Sequence, residues 1–207
     1  MKKLFNVLLV LIFVSILFVT GCEEKKDDNT VKISYAYGKA TYSVSVPKDK
    51  DGNPKYEFTT EKPKGISVAK SFYLVTDKSM IGIATTGMSY NTSAKYKEKY
   101  GDKKATFDGY LEFIEDKDLF NKSYLPGLEQ FEINGRKALR YYNRVGGSGS
   151  YKYYGYFYFV AVDDIYNGSK VDIVVNHKDI ENLPTEPTEI DEETLNIINS
   201  LEIQEIK

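Results

Sequence analysis

Residues with reactive side chains are few, and their scarcity excludes several kinds of active site. The 207 residues include one cysteine, Cys22, and one histidine, His177. Two such ligands cannot complete a zinc site, and one cysteine cannot form an internal disulfide. No G-x-S-x-G sequence supplies a nucleophilic serine for a histidine-dependent triad. We therefore expect His177, which follows an apolar strand pattern, to lie in a loop or at the surface, and we expect no catalytic residues, metal or cofactor.

Two further motifs suggest ligand binding but lack a required feature. Asp49, Asp51 and Asn53 alternate like the oxygen ligands of a calcium loop, yet Thr60 stands where such a loop needs a glutamate. The glycine-rich stretch 146–150 lies between two strand patterns, whereas a phosphate-binding loop leads into a helix. We interpret the first motif as a solvated turn and the second as a connecting loop.

Tyrosine is the most informative residue type in this chain. Eighteen tyrosines occur, and several of them fall in the strand pattern 151–162. Because side chains alternate along a strand, Tyr154, Tyr156 and Tyr158 share one face. An aromatic face of this kind can stack a sugar, a peptide or another protein. The alternative is that the face packs in the core or carries cross-strand aromatic pairs.

The carboxylates of the chain are compatible with a hydrolase, whereas its charge balance excludes nucleic-acid binding. Asp and Glu together number 30 against 28 Lys and Arg, so the formal net charge is -2. A chain without excess positive charge lacks the electrostatic attraction that phosphate backbones require. Paired carboxylates of a glycan hydrolase meet in space and not along the chain, so sequence spacing does not exclude them.

The N-terminus has the order of a secretory signal peptide. Lys2 and Lys3 precede an almost wholly apolar run from Leu4 to Val19, and small residues follow it. The sequence Val19-Thr-Gly-Cys22 resembles the lipobox of bacterial lipoproteins. The resemblance implies a diacylglyceryl thioether on Cys22 and cleavage between Gly21 and Cys22. The alternatives are an uncleaved signal anchor and a buried structural thiol; each of them also places the remaining chain outside the cytoplasm.

These features predict three segments. Residues 1–21 are the signal peptide, residues 22–30 are the lipidated cysteine with a charged, flexible tether, and residues 31–207 form a single domain. We expect the protein to be lipid-anchored in the cell membrane and to face away from the cytoplasm.

Strand patterns dominate residues 31–207. Apolar–polar alternation and β-branched runs between turn residues predict strands at 31–37, 41–46, 56–58, 66–75, 80–85, 128–133, 137–142, 151–162 and 171–175. Helical spacing predicts short helices at 93–100 and 107–114, the second capped by Thr106, and a final helix capped by Thr188. Asn134-Gly135 between two strand patterns predicts a tight hairpin.

The order of these elements is similar to that of the PsbP/Mog1-like proteins. Two stretches carry the resemblance: the strand, Asn-Gly turn and strand at 131–142, and the ending Leu195-Asn-Ile-Ile-Asn-Ser-Leu201. The resemblance implies an α+β fold, in which a mainly antiparallel sheet is flanked by two or three helices in an α/β/α sandwich. It also implies a non-catalytic accessory or binding role.

The function expected from the sequence is that of an envelope lipoprotein that serves as a non-catalytic binding or accessory module. Its partners would be the membrane, through the lipid on Cys22, and a protein or glycan of the envelope that contacts Tyr154, Tyr156 and Tyr158. The alternatives are a carboxylate-based hydrolase acting on glycans and a purely structural surface lipoprotein.

Overall fold

The computed structural model describes residues 28–64, 66, 70–88, 94–101, 106–121, 125–145, 153–178 and 188–207, with the side chains of 143–145 and 153–154 excepted. The described strands are β1 (Thr30–Tyr37), β2 (Ala40–Pro47), β3 (Phe58–Thr59), β4 (Phe72–Val75), β5 (Ser79–Gly87), β6 (Glu129–Ile133), β7 (Arg136–Val145), β8 (Tyr153–Ala161), β9 (Ser169–His177) and β10 (Glu202–Glu205). The described helices are α1 (Ala94–Tyr100), α2 (Phe107–Glu115) and α3 (Glu192–Asn199).

Seven of these strands form one antiparallel sheet. Their order is β3-β4-β5-β9-β8-β7-β6, so β9 is the central strand. The N-terminal hairpin of β1 and β2 is completed by β10, which pairs with β2, into a separate three-stranded sheet. The predicted α+β class, with a mainly antiparallel sheet flanked by helices, is confirmed.

Each face of the large sheet is covered by a different layer. On one face, the small sheet and α3 contribute Tyr42, Val44 and Ile197 to a core that includes Ile83 and Ile173 of the large sheet. On the other face, the core is built from both remaining helices and from the opposite side of β7 and β8. Its buried members include Tyr96, Phe107, Ile114, Leu139 and Phe159. Burying both faces in this way is the usual solution for a sheet whose strands are apolar on both sides.

Local signals set several boundaries where the sequence predicts them. Asn134 and Gly135 have φ angles of 46° and 73°, as a type I′ hairpin turn requires. The side chain of Thr106 accepts a hydrogen bond from the backbone N–H of Gly109 and so caps α2. Gly101, with a φ angle of 70°, follows the end of α1.

Other boundaries differ from the prediction. Asp191, not Thr188, caps α3, because its carboxylate accepts the backbone N–H of Thr194 at 3.0 Å. The strand predicted over 66–75 is confined to β4, the strand predicted at 56–58 is β3, and β10 was not predicted at all. Residues 1–27, which include Gly21 and Cys22, and the loop 146–150 lie outside the described residues. In the described part of the chain no helix has the length and apolar character needed to cross a membrane.

Candidate functional site

The three candidate tyrosines have different positions. Tyr158 is 1% exposed and packs edge-on against Phe131, with ring centroids 6.0 Å apart. It belongs to the core shared with the small sheet, which corrects the expectation that it faces a ligand. The side chain of Tyr154 lies outside the described residues. Tyr156, two residues before Tyr158 on the same face of β8, is half-buried and lies at the edge of this core.

Tyr156 is surrounded by a cation and a second aromatic ring. The guanidinium of Arg140 lies 5.5 Å from the centre of its ring, and the ring of its cross-strand partner Tyr142 lies 6.2 Å away in an edge-to-face arrangement. Arg140 also pairs with Glu129 on β6. Burial raises the pKa of Tyr156, and the charge of Arg140 opposes that effect. The hydroxyl therefore stays protonated at neutral pH and can donate a hydrogen bond.

A small cavity opens beside Tyr156; we call it the Tyr156 cavity. Its volume is about 100 Å³. Its lining includes Tyr156 from β8, His177 at the end of β9, and Thr188, Ile190 and Asp191 before α3. His177 Nε2 lies 3.0 Å from the hydroxyl of Thr188. The cavity therefore presents an aromatic wall and a short row of hydrogen-bonding groups.

Asp191 supports this cavity and helps to place the chain that leads into α3. Burial acts to raise its pKa, but hydrogen bonds from Thr194 and from the hydroxyl of Ser79 lower it overall. Its two oxygens accept Thr194 N–H at 3.0 Å and the Ser79 hydroxyl at 3.1 Å. The carboxylate is thus fully engaged in holding α3 against β5, and we assign it a structural role.

A larger cavity is an open groove of about 770 Å³ beside the turn between β6 and β7. Arg136 lies in this groove and donates hydrogen bonds to both oxygens of Asp164 and to the carbonyl oxygens of Ala161 and Ile203. The hydrogen bond from Arg136 lowers the pKa of Asp164. A second acid in the groove, Asp163, accepts the backbone N–H of Phe107 at 2.8 Å. Both acids therefore have structural partners.

Lowered carboxyl pKa values recur elsewhere in the chain. The residues concerned are Asp77, Asp116, Asp164 and Asp191. The general acid of a glycan hydrolase needs the opposite, a raised pKa that keeps the group protonated. The pKa shifts of these four residues therefore have the direction opposite to the one that a general acid needs. In the portion of the chain that the structure describes, no cluster of three or more His, Cys, Asp or Glu side chains could hold a metal ion.

The sequence analysis missed a buried charged cluster on the opposite face of the large sheet. We call Lys70, Lys170 and Asp172 the lysine–aspartate cluster. Lys170 Nζ forms an ion pair with one carboxylate oxygen of Asp172, and Lys70 Nζ lies 3.5 Å from the other. Lys170 also donates to the hydroxyl of Thr86 at 3.1 Å and lies 3.6 Å from the centre of the Phe159 ring.

Neighbouring strands create the space for this cluster. Asp172 lies on the central strand β9, opposite Ala84 of β5, and Gly82 is two residues before Ala84. The side chain of Lys70 crosses Gly82 so closely that a β-carbon there would lie 2.8 Å from Lys70 Cγ. A sequence signal was present, because Lys170 and Asp172 alternate with Val171 and Ile173 and so project from the same face of the strand.

Comparison with known proteins gives one relevant likeness. No family model and no curated protein matches the chain. A solved structure to which the chain is similar is the solution structure of cyanobacterial PsbP (CyanoP) from Synechocystis sp. PCC 6803. The match has 11% sequence identity and a TM-score of 0.34, and it covers 76% of this chain and 85% of that chain. A structural similarity at this TM-score does not indicate a function.

Proposed function

We propose that this protein is a lipid-anchored component of the cell envelope whose folded part is a non-catalytic binding module. The anchor rests on the sequence Val19-Thr-Gly-Cys22, which ends an apolar run and precedes a charged segment. The binding role rests on the Tyr156 cavity. A lipid at residue 22 would keep the folded part close to the membrane, because only a few residues separate residue 22 from β1.

The Tyr156 cavity is the observation that carries the binding role. At about 100 Å³ it is well below the roughly 300–1,000 Å³ of pockets that enclose a whole small molecule. It therefore suits one protruding group of a larger partner. An aromatic wall next to hydrogen-bonding groups, such as the Thr188 hydroxyl, fits a sugar ring, whose faces are apolar and whose edge is polar. We propose a cell-envelope glycan as that partner.

The binding role predicts that the ring of Tyr156 is required. We expect the Tyr156→Leu variant, which keeps apolar volume but loses the ring and the hydroxyl, to bind soluble cell-wall glycan fragments at least about tenfold more weakly. Isothermal titration calorimetry measures this change. The matched control is Tyr37→Leu, since Tyr37 is 41% exposed and does not line the cavity. Equal affinity of both variants, or no binding by the unaltered protein, would leave a structural role as the better explanation.

The anchor predicts a specific covalent modification. We expect intact-mass measurement of the protein from its native membrane to show a lipid on Cys22 and no residues before it. The Cys22→Ala variant should incorporate no labelled fatty acid and should leave the membrane fraction. Membrane retention together with unchanged lipid labelling in Cys22→Ala would refute the anchor, whatever the result for Tyr156.

A further inference from the structure

The lysine–aspartate cluster has an excess of buried positive charge. The side chains of Lys70, Lys170 and Asp172 are 7%, 10% and 14% exposed. Within the described ranges, Asp172 is the one anionic side chain that contacts either lysine. With both amines protonated, the cluster carries two positive charges and one negative charge. Such an excess is costly in a buried place unless a further anion compensates it.

The two lysines differ in how their hydrogen-bonding capacity is used. An ammonium group has three N–H donors. Lys170 engages Asp172 and the hydroxyl of Thr86, and it also contacts the face of the Phe159 ring. The ammonium of Lys70 has one polar partner among the described residues, Asp172, at the long distance of 3.5 Å. Lys70 therefore keeps donors that no acceptor in the described part of the chain satisfies.

A tyrosine lies on the same face of the large sheet as the cluster. Tyr141 on β7 is buried, and its cross-strand partner Phe157 in turn pairs with Val174, which is two residues after Asp172 on β9. Burial is the main reason that the pKa of Tyr141 is raised. The neighbouring Tyr110 and the charge of Asp172 raise this pKa further. The phenol stays protonated and remains a donor.

We propose that the lysine–aspartate cluster binds a small oxyanion, a carboxylate or a phosphate group, with Lys70 as its principal donor and Lys170 as the second cation. Binding of a monoanion would bring the cluster to a net charge of zero, and either kind of oxyanion would accept hydrogen bonds from the unused donors of Lys70. This site is independent of the Tyr156 cavity, because Tyr156 and Asp172 project from opposite faces of the large sheet. Failure of either proposal leaves the other standing.

Loss of a proton from Lys170 is the competing way to remove the excess charge. Burial lowers the pKa of Lys170, and the carboxylate of Asp172 opposes that effect. If the amine were neutral in the folded protein, the cluster would be balanced without a ligand and would have no affinity for anions. Anion binding at neutral pH therefore separates the two explanations.

The test uses the full chain, purified in detergent, and follows its melting temperature at constant ionic strength. Inorganic phosphate, acetate and chloride are the three probes, so that a phosphate preference is distinguished from a carboxylate preference. We expect one of the two oxyanions to raise Tm by roughly 5–10 °C at about 100 times its Kd, and chloride to have no such effect. No response to either oxyanion would overturn the proposal in favour of proton loss.

Substitutions locate the effect. We expect Lys70→Met to abolish the oxyanion response and Lys70→Arg to retain it. Lys137→Met is the control, because Lys137 is 57% exposed and pairs with Asp108. An equal response in Lys70→Met and the unaltered protein would refute the assignment.

A second pair of variants keeps the test decisive if Lys70→Met fails to fold. Gly82→Ala places a β-carbon against the stem of Lys70 and should displace it, whereas Gly87→Ala, on the same strand, meets nothing within 4 Å. The oxyanion response should be lost in the first variant and kept in the second. An oxyanion response in both variants would contradict the proposed site.

Discussion

The amide of Asn176 is an unusual buried group in this fold. Asn176 is 1% exposed, and neither its carbonyl oxygen nor its nitrogen has a hydrogen-bond partner among the described residues. It lies on the central strand opposite Met80, on the same face as Asp172. A buried polar group without a partner costs about 1–3 kcal/mol of stability. Asn176 is therefore a place where an apolar residue would suit the fold better.

We predict that Asn176→Leu raises the free energy of unfolding by about 1 kcal/mol, because it removes the unsatisfied amide while keeping the branched shape and the number of heavy atoms of the side chain. Urea denaturation measures the change. The matched control is Thr76→Val, which should lower stability, since the Thr76 hydroxyl accepts the backbone N–H of Ser79 at 2.9 Å. Lower stability of Asn176→Leu would show that the amide is hydrogen-bonded to a buried water or a ligand.

The positions of a few residues show which parts of the candidate sites could be predicted from the sequence and which could not. Alternation assigned Tyr156 and Tyr158 to one face of a strand, and they do share it. The alternation pattern could not show that Tyr158 is buried in the core with the small sheet and α3 whereas Tyr156 is only partly buried. That difference depends on contacts between residues far apart in the chain. Lys70 and Asp172 are also far apart in the chain, and they come together because the side chain of Lys70 lies over Gly82.

At the level of elements, α1 and α2 are joined through Asp116, which follows the end of α2. Its carboxylate accepts a hydrogen bond from the hydroxyl of Tyr100 at 2.8 Å and pairs with Lys99 at 2.7 Å; both partners end α1. The hydrogen bonds from Lys99, and then from Tyr100, lower the pKa of Asp116 to about 2 from its ordinary value of 3.8. The short helix α1 therefore depends on this charged contact as well as on its buried Tyr96.

This contact predicts a dependence on pH. Because the pKa of Asp116 is lower in the folded protein than in the unfolded chain, its stabilising effect is complete above about pH 4 and is lost as the pH falls toward about 2. Asp116→Asn should thus lower Tm at neutral pH. The difference in Tm between this variant and the unaltered protein should vanish as the pH approaches about 2. Asp118→Asn is the control, as Asp118 is 90% exposed and lies 3.9 Å from Lys99. A difference that persists unchanged at low pH would contradict the explanation.

Elements with strong local signals were predicted, and elements that depend on distant pairing were not. The Asn134-Gly135 hairpin and the cap at Thr106 are specified by a few adjacent residues, and both are present. In β10 three of the four residues are polar, and the strand exists because it pairs with β2, about 160 residues earlier. Thr188 and Asp191 are both good capping residues, and the choice between them follows from the Ser79 hydroxyl that holds Asp191.

Across the whole molecule, Arg136 connects the two sheets outside their shared core. It lies at the start of β7 in the large sheet, and its guanidinium donates to the carbonyl of Ile203 on β10 of the small sheet at 2.9 Å. The same group donates to the carbonyl of Ala161 at 3.1 Å and to both oxygens of Asp164. It therefore also occupies a backbone acceptor on β10, an edge strand of its sheet that could otherwise pair with another chain.

We predict that Arg136→Lys lowers the free energy of unfolding by about 2 kcal/mol, although it keeps the charge. A lysine ammonium cannot reach Asp164 with two parallel hydrogen bonds and still donate to two carbonyl groups, because it lacks the planar fork of arginine. Denaturation in urea measures the loss. The matched control is Arg140→Lys, since Arg140 pairs with one carboxylate, that of Glu129, which is 59% exposed, and otherwise lies against the Tyr156 ring. An exposed pair contributes at most about 1 kcal/mol. Equal losses in the two variants would show that Arg136 is not the connection between the sheets, whereas two separate transitions in Arg136→Lys would show that the small sheet unfolds first once that connection is gone.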